Sequence, residues 1–385
     1  MENTTQYNEK CGWTKFSEAK LVEMEKKILQ VVKTAYKTWF VPIGPTIGTD
    51  DKIWTILLNE ESKNTPIVLL HGFAAALGFW CLNFDSLAKE RPVYAIDLLG
   101  FGRSTRPTFS TDGTEAEQQM VQSLEAWRKQ LDIENFILLG HSFGGYLATS
   151  YAINYPDRVK HLILADPWGF AEQPAKFEAP LWIKTLRVLL YPLSHLNPLA
   201  TVRAAGPIGP WLVRKVRNDI SEKYASVLEN KDIMAEYIYQ CNSRNPSGET
   251  AFHYMRKSFV WAKNPMVHRF DNIREDIPIT VMFGENSWIT QAPGHILKEQ
   301  RPKSYVDIAV IANAGHHISA DQPSLFHEVV LGACGMCDST SNSEVTNDQE
   351  IISNNEIIET DIDEEGAVHQ IKLIRNEEYQ LHQSI

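Results

Sequence analysis

The sequence has no run of eighteen apolar residues, so it offers no candidate bilayer-spanning helix, and any membrane work would use surface attachment. The first ten residues, MENTTQYNEK, are polar and charged and do not read as a secretory signal. Cysteine is scarce. Five residues, Cys11, Cys81, Cys241, Cys334 and Cys337, are scattered and odd in number, which argues against a disulfide framework and for a reducing compartment. Only Cys334 and Cys337 are close, and no second ligand pair stands at zinc spacing, so neither metal nor cofactor is expected. A basic excess is also missing. The net charge is −11, and from Asp338 onward there are 12 acidic and 2 basic residues, so the tail carries nearly all of it. A near-neutral body gives no electrostatic case for nucleic acid.

The chain has 385 residues, 43% of them hydrophobic, enough for one large α/β domain with an insertion. Residues 1–50 hold a helical stretch, Ser17 to Thr34, with Leu21, Met24, Ile28 and Val31/Val32 on one face. Trp13 and Phe16 precede it, and Trp39 and Phe40 follow. Two readings stand: a helix packed on the domain, or an interfacial anchor in which Trp13 and Phe16 sink among lipid headgroups. Residues 51–170 alternate short apolar runs (66–70, 93–98, 136–139, 162–165) with helical patterns, 115–131 being the clearest. That alternation predicts a mostly parallel, doubly wound sheet with its sites at the strands' C-terminal ends. Residues 171–270, rich in Pro, Leu, Trp and Arg, break the rhythm; helical patches at 181–191 and 211–216 predict a helical lid insertion. The core resumes over 271–336, with strands at 277–283 and 305–311 and helices near 291–300 and 324–331. Residues 337–385, acidic and poor in aromatics, read as a disordered tail.

The densest local signal is Gly140-His-Ser142-Phe143-Gly144-Gly145, after one of these strands and before a helix. A G-x-S-x-G motif in that context is a nucleophile elbow: a strained turn lifts the Ser142 hydroxyl above the sheet, and glycines let strand and helix approach. The Phe143 N–H at the helix start can face an oxyanion. His71-Gly-Phe73 follows the first clear strand, and its loop can give a second donor, the N–H of Phe73 or Ala74. Near the chain end stands Ala314-Gly-His316-His317. A serine hydroxyl needs a base, and His316, directly after Ala-Gly, is the choice over its neighbour His317. His316 also opens a His-x4-Asp string ending at Asp321, a spacing found in glycerolipid acyltransferases; capping a helix is an equal reading of Asp321.

Six stretches occur in one order: His71-Gly-Phe, Leu98-Leu-Gly-Phe-Gly-Arg-Ser-Thr-Arg-Pro107, Gly140-His-Ser-x-Gly-Gly145, Ala165-Asp-Pro-Trp-Gly-Phe170, Asn245-Pro-Ser-Gly-Glu-Thr-Ala-Phe252 and Gly315-His-His-x-x-x-Asp-Gln-Pro323. Over roughly residues 10–335 the chain thereby resembles the α/β-hydrolase-domain branch that contains N-acylphosphatidylethanolamine lysophospholipases and the lipid-droplet coactivators of adipose triglyceride lipase. The resemblance implies the α/β-hydrolase fold, acyl-lipid substrates, an aromatic N-terminal contact with droplets or membranes, and a cytoplasmic or lipid-droplet location. It implies two functions. One is a serine hydrolase or acyltransferase acting on lysophospholipids or acylglycerols. The other is a non-catalytic partner that docks an adipose-triglyceride-lipase-type enzyme at droplets. Members of the second kind carry asparagine where this chain has Ser142.

Two departures bear on the choice. The branch's acid is expected at the end of Gly284-Glu-Asn-Ser-Trp-Ile289-Thr290, where threonine stands in place of aspartate. Asp166 at the end of the preceding strand, Glu285 in the same loop, or no acid at all remain open. The oxyanion stretch Phe73-Ala74-Ala75-Ala76 has alanines where relatives carry glycines, which would strain any position with positive φ.

Overall fold

The computed structural model describes residues 16–174, 199–258 and 260–343. Helix α1 (Glu18–Leu29) begins at Ser17, whose hydroxyl accepts from the Lys20 N–H at 3.3 Å. Its expected apolar face is buried: Leu21 and Ile28 are fully covered, with Met24 and Leu29 beside them. Glu25 on that face pairs with Arg103 (2.8 Å) and accepts from the Trp54 indole N–H (2.9 Å). The helix is therefore packed on the domain.

Two strands follow that the sequence reading does not place, β1 (Tyr36–Gly44) and β2 (Asp51–Leu58), paired antiparallel. β1 is the sheet edge, where Pro42 is tolerated and a register irregularity falls between Pro42 and Gly44. Trp39 and Phe40 thus belong to a strand; the Phe40 ring lies 4.6 Å from that of Trp54.

The parallel strands are β3 (Ile67–Leu70), β4 (Val93–Ile96), β5 (Phe136–His141), β6 (Val159–Ala165), β7 (Ile279–Gly284) and β8 (Val306–Ile311). The eight-stranded sheet has the order β1-β2-β4-β3-β5-β6-β7-β8, antiparallel only at β1/β2 and β2/β4. Alternate residues of β5 serve opposite faces: Phe136 and Leu138 join one core, Ile137 and Leu139 the other. Among the helices, α2 is Phe84–Leu87, α3 Gly113–Gln130 and α4 Phe143–Asn154. Trp127 of α3 and Tyr146, Leu147 and Tyr151 of α4 fill the first core.

Between β6 and β7 the described residues form only short helices: α5 (Ala200–Ala204), α6 (Gly209–Val216), α7 (Asn218–Lys223), α8 (Asp232–Asn242) and α9 (Gly248–Met255). Tyr224, Met234, Tyr237 and Tyr239 of this insertion share a third core with Leu21 and Ile28 of α1. The helical patch expected at 181–191 lies outside the described residues. After β7 come α10 (Ala292–Gln300), β8, α11 (Ile318–Asp321) and α12 (Pro323–Ser343).

The last helix corrects the sequence boundary at 337. It runs on to Ser343 because its inward face has work to do: Phe326, Val330, Cys334 and Cys337 are buried against the sheet. Asp338 pairs with the buried guanidinium of Arg91 at 2.6 Å. Residues 344–385 lie outside the described residues. Among those described, no helix is long and apolar enough to cross a membrane.

Candidate active site

β5 ends at His141, α4 begins at Phe143, and Ser142 between them has φ 52° and ψ −118°, a left-handed backbone that non-glycine residues rarely adopt. A Cβ on Gly140 would stand 2.3 Å from the Gly144 carbonyl oxygen, and one on Gly144 2.4 Å from the Leu70 carbonyl oxygen. Any side chain at either position would push strand and helix apart. The turn is tied to the neighbouring strand: the Ser142 N–H donates to the Ala165 carbonyl (3.0 Å) and the Trp168 N–H to the Ser142 carbonyl (3.1 Å).

Three side chains from three strand ends meet here. The Ser142 hydroxyl lies 2.9 Å from His316 Nε2, and His316 Nδ1 lies 2.6 Å from Asp166 Oδ2. The tautomer that satisfies both contacts carries its proton on Nδ1, donates it to Asp166 and accepts from Ser142. Asp166 follows β6 with φ 47°, and its N–H donates to the Met282 carbonyl of β7 (2.8 Å). Its other oxygen accepts from the Gly284 N–H (3.2 Å), and the Ser287 hydroxyl donates to Oδ2. The side chain is fully buried, so these donors and His316 replace the water that a carboxylate needs.

The three options for the acid are thereby separated. Glu285 is exposed and accepts from the Asn313 N–H at 2.8 Å, bracing a turn rather than meeting His316. Thr290 is exposed, and its hydroxyl accepts from the Ala292 N–H (3.4 Å) at the start of α10. Asp321 ends α11 instead of opening a helix, which corrects the capping expectation. It also does not touch the His316 ring: its Oδ2 accepts from the Gly315 N–H (2.9 Å), and Lys223 of α7 pairs with its Oδ1.

Four histidines crowd the elbow, and their surroundings sort them. His71 Nε2 accepts from the Leu98 N–H (3.0 Å) and Nδ1–H donates to the Gly72 carbonyl (2.8 Å); burial pushes its pKa down to about 4. His141 Nε2–H donates to the His316 carbonyl (2.8 Å), and burial, with His316 nearby, takes its pKa to about 3. His317 is held well below the usual histidine range, first by burial and then by its histidine and cationic neighbours; its Nε2 is 3.3 Å from the Arg217 guanidinium. Of these four, His316 is the one paired with a carboxylate. His317 is a packing residue, 6.3 Å from the Phe79 ring.

Phe143 stands at the first position of α4, where helical geometry leaves the N–H without an intrahelical partner. The opposing loop comes close: a Cβ on Gly72 would lie 3.0 Å from the Ser142 Cβ. Ala74 in that loop has φ 60°, so the alanine does occupy a glycine-type conformation. The Phe73 ring stacks on Phe252 of α9 (4.2 Å), which also meets Phe143 (5.0 Å) and Trp168 (4.8 Å), giving the elbow an aromatic wall. Of the two residues assigned to lipid anchoring, Trp13 lies outside the described residues. Phe16 is half-buried against the insertion, with the Arg244 guanidinium 5.3 Å above its ring. The supports that sequence reading missed, Ser287, His141 and the Gly284 N–H, lie inside the quoted motifs, but their roles come from tertiary contacts that the motifs do not specify.

Comparison with known proteins places this geometry. Residues 65–323 match the family described as alpha/beta hydrolase fold. A (lyso)-N-acylphosphatidylethanolamine lipase from Mus musculus is 47% identical over 327 residues, covering 84% of this chain and 93% of the relative. The 1-acylglycerol-3-phosphate O-acyltransferase ABHD5 from Mus musculus is 46% identical over 327 residues, covering 84% and 91%. Among solved structures, naproxen esterase (carboxylesterase NP) from Bacillus subtilis superposes with a TM-score of 0.56 at 20% identity, covering 82% of this chain and 96% of that one, a likeness of fold.

Proposed function

The chain belongs to the α/β-hydrolase fold family, in the branch that holds the (lyso)-N-acylphosphatidylethanolamine lipases and ABHD5, and from that premise we propose that it is a serine-dependent enzyme of acyl-lipid metabolism. The substrates are lysophospholipids or acylglycerols, and the acyl group passes to water or to a lysophosphatidic acid hydroxyl. The observation that carries the reading is the continuous line of contacts Asp166–His316–Ser142.

The chemistry follows from it. His316 Nε2 takes the Ser142 proton as Oγ attacks the acyl carbon, and Asp166 stabilises the imidazolium. The Phe143 N–H, with a donor from the 72–74 loop, takes the oxyanion. Collapse expels the alcohol, which takes its proton from His316. Water or an acceptor hydroxyl then gives a proton to His316, attacks the acyl-serine and releases Ser142.

The enzyme works at a lipid surface, in the cytoplasm and on lipid droplets. Supporting this are the exposed apolar side chains of the insertion, Ile208, Trp211 and Val216, beside Lys215 and Arg217. The alternative of a non-catalytic docking partner for a triglyceride lipase stood on the missing acid at Thr290 and on the aromatic N-terminus, and the first of these bears on catalysis. Asp166 beside His316 takes that support away. The test is fatty-acid release from lysophospholipid and monoacylglycerol micelles by wild type, Ser142→Ala and His316→Ala. Release by wild type that both variants abolish is expected. Folded wild type without turnover on either class, or in acyl transfer to lysophosphatidic acid, would overturn the reading.

A further inference from the structure

The insertion does more than cover the strand ends: it is wired to both halves of the site. On the base side, Lys223 at the end of α7 pairs with Asp321 Oδ1, while Asp321 Oδ2 accepts from the Gly315 N–H at 2.9 Å. Gly315 immediately precedes His316. On its other flank, the Arg217 guanidinium reaches His317 Nε2 at 3.3 Å. Arg217, immediately before α7, and Lys223, its last residue, thus send one polar tie to each side of the base. On the oxyanion side, the Asn242 amide of α8 donates to the Ala74 carbonyl (2.8 Å), at the residue with φ 60°. The Tyr224 hydroxyl donates to the Phe79 carbonyl (2.8 Å), and the Tyr237 hydroxyl accepts from the Gly78 N–H (3.3 Å).

The Arg217–His317 contact is exposed, but the other ties lie largely out of water. Lys223 and Asp321 side chains are 20% and 11% exposed, and Asn242 is buried. A half-buried ion pair of this kind resists salt screening and fixes geometry better than a surface pair. Gly315 has space around it, since a Cβ there would meet nothing nearer than Asp321 Oδ2 at 3.4 Å. The Asp321 hydrogen bond holds the N–H side of the Ala314–Gly315 peptide, whose carbonyl accepts from the Asn286 N–H at 2.8 Å, so Asp321 is one of two ties that fix this peptide ahead of His316.

We propose that the insertion is a clamp that sets the catalytic geometry, with Lys223 and Asp321 as positioning residues for His316 and Asn242 as the positioning residue for the oxyanion loop. The inference rests on the serine-hydrolase reading and deepens it. It gives the His-x4-Asp string a different physical meaning: its aspartate holds the loop that carries the base, while Asp166 holds the ring. Whatever lifts the insertion from the sheet edge removes the Lys223–Asp321 and Asn242–Ala74 ties together, loosening the supports of the base and of the oxyanion loop at once, so access to the site and reactivity are coupled.

The experiment is the rate of fluorophosphonate labelling of the full chain, per mole of folded protein, for wild type, Lys223→Met, Lys223→Arg, Asp321→Asn and Asn242→Ala, with thermal unfolding of each. Lys223→Met and Asp321→Asn should label about ten- to a hundredfold more slowly, the scale of a displacement near 1 Å in a reacting pair. Lys223→Arg should recover most of the rate, and with a soluble short-chain ester the loss should fall on kcat rather than KM. Lys223 is partly exposed, so its variants keep the test open if Asn242→Ala fails to fold. Wild-type labelling that Lys223→Met and Asp321→Asn match would overturn the clamp alone. A folded wild type that takes no label would overturn the hydrolase reading and the clamp with it.

Discussion

At the scale of single residues, three positive-φ positions concentrate strain where chemistry is expected: Ala74, Ser142 and Asp166. A left-handed non-glycine residue costs about 1–2 kcal/mol. Ser142 and Asp166 need their side chains, and Asp tolerates that region better than most residues. Ala74 does not, so Ala74→Gly should raise stability by about 1 kcal/mol in urea unfolding, after allowing for glycine's greater freedom in the unfolded chain. An equal or lower unfolding free energy would show that the strain is relieved elsewhere. The sequence made Ser142 legible because the elbow is a local device, readable from glycines two residues either side, and His316 was read from its place directly after Ala314-Gly315 near the chain end. The acid was not, because Asp166, Glu285 and Thr290 are separated only by where β6 and β7 end relative to each other. That register is a property of the sheet.

At the scale of elements, α1 shows the reach and the limit of periodicity. Its apolar face pointed correctly inward, but Glu25 sits on that face and periodicity has no place for it. Burial raises the Glu25 pKa to about 7, with the Asp97 charge adding to the rise and Arg103 opposing it. The folded protein holds that proton more tightly than the unfolded chain does. The contribution to stability is therefore fully present below the unfolded value of 4.5 and is lost as pH rises through about 7. Unfolding free energy measured across that window should fall less steeply with pH in Glu25→Gln than in wild type; parallel curves would refute the assignment. Strand β2 carries the apolar run 53–58 and was readable, whereas β1 escaped notice for a related reason. Their pairing is with each other and with β4 at the antiparallel edge, and β1 carries Pro42, Lys37 and exposed aromatics instead of a continuous apolar run.

At the scale of the whole molecule, composition places a change near residue 337, but α12 runs on to Ser343, with Cys337 buried in the core and Asp338 paired with Arg91 past that boundary. Ending the chain at Gly335 removes Cys337 and strands the Arg91 guanidinium, whose side chain is 2% exposed, without Asp338. That truncation should cost about 3 kcal/mol or more, the scale for breaking a buried pair from one side. Ending at Ser343 should cost nothing measurable; equal stability of the two in urea would contradict the boundary. The insertion's outer face carries a second whole-molecule expectation. Changing Trp211 and Val216, 51% and 68% exposed, to alanine should weaken sedimentation with phospholipid vesicles about tenfold, or about 1.4 kcal/mol. Unchanged binding would move lipid attachment away from this face.

The carboxylate that meets His316 comes from the end of β6. Fluorophosphonate labelling of Ser142, timed for wild type, Asp166→Asn and Glu285→Gln, tests it most directly. Rapid wild-type labelling, a loss of about 10³–10⁴-fold in Asp166→Asn and little change in Glu285→Gln are predicted, since a neutral partner leaves the imidazolium unsupported. Wild-type rates in Asp166→Asn, or a collapse in Glu285→Gln, would contradict it.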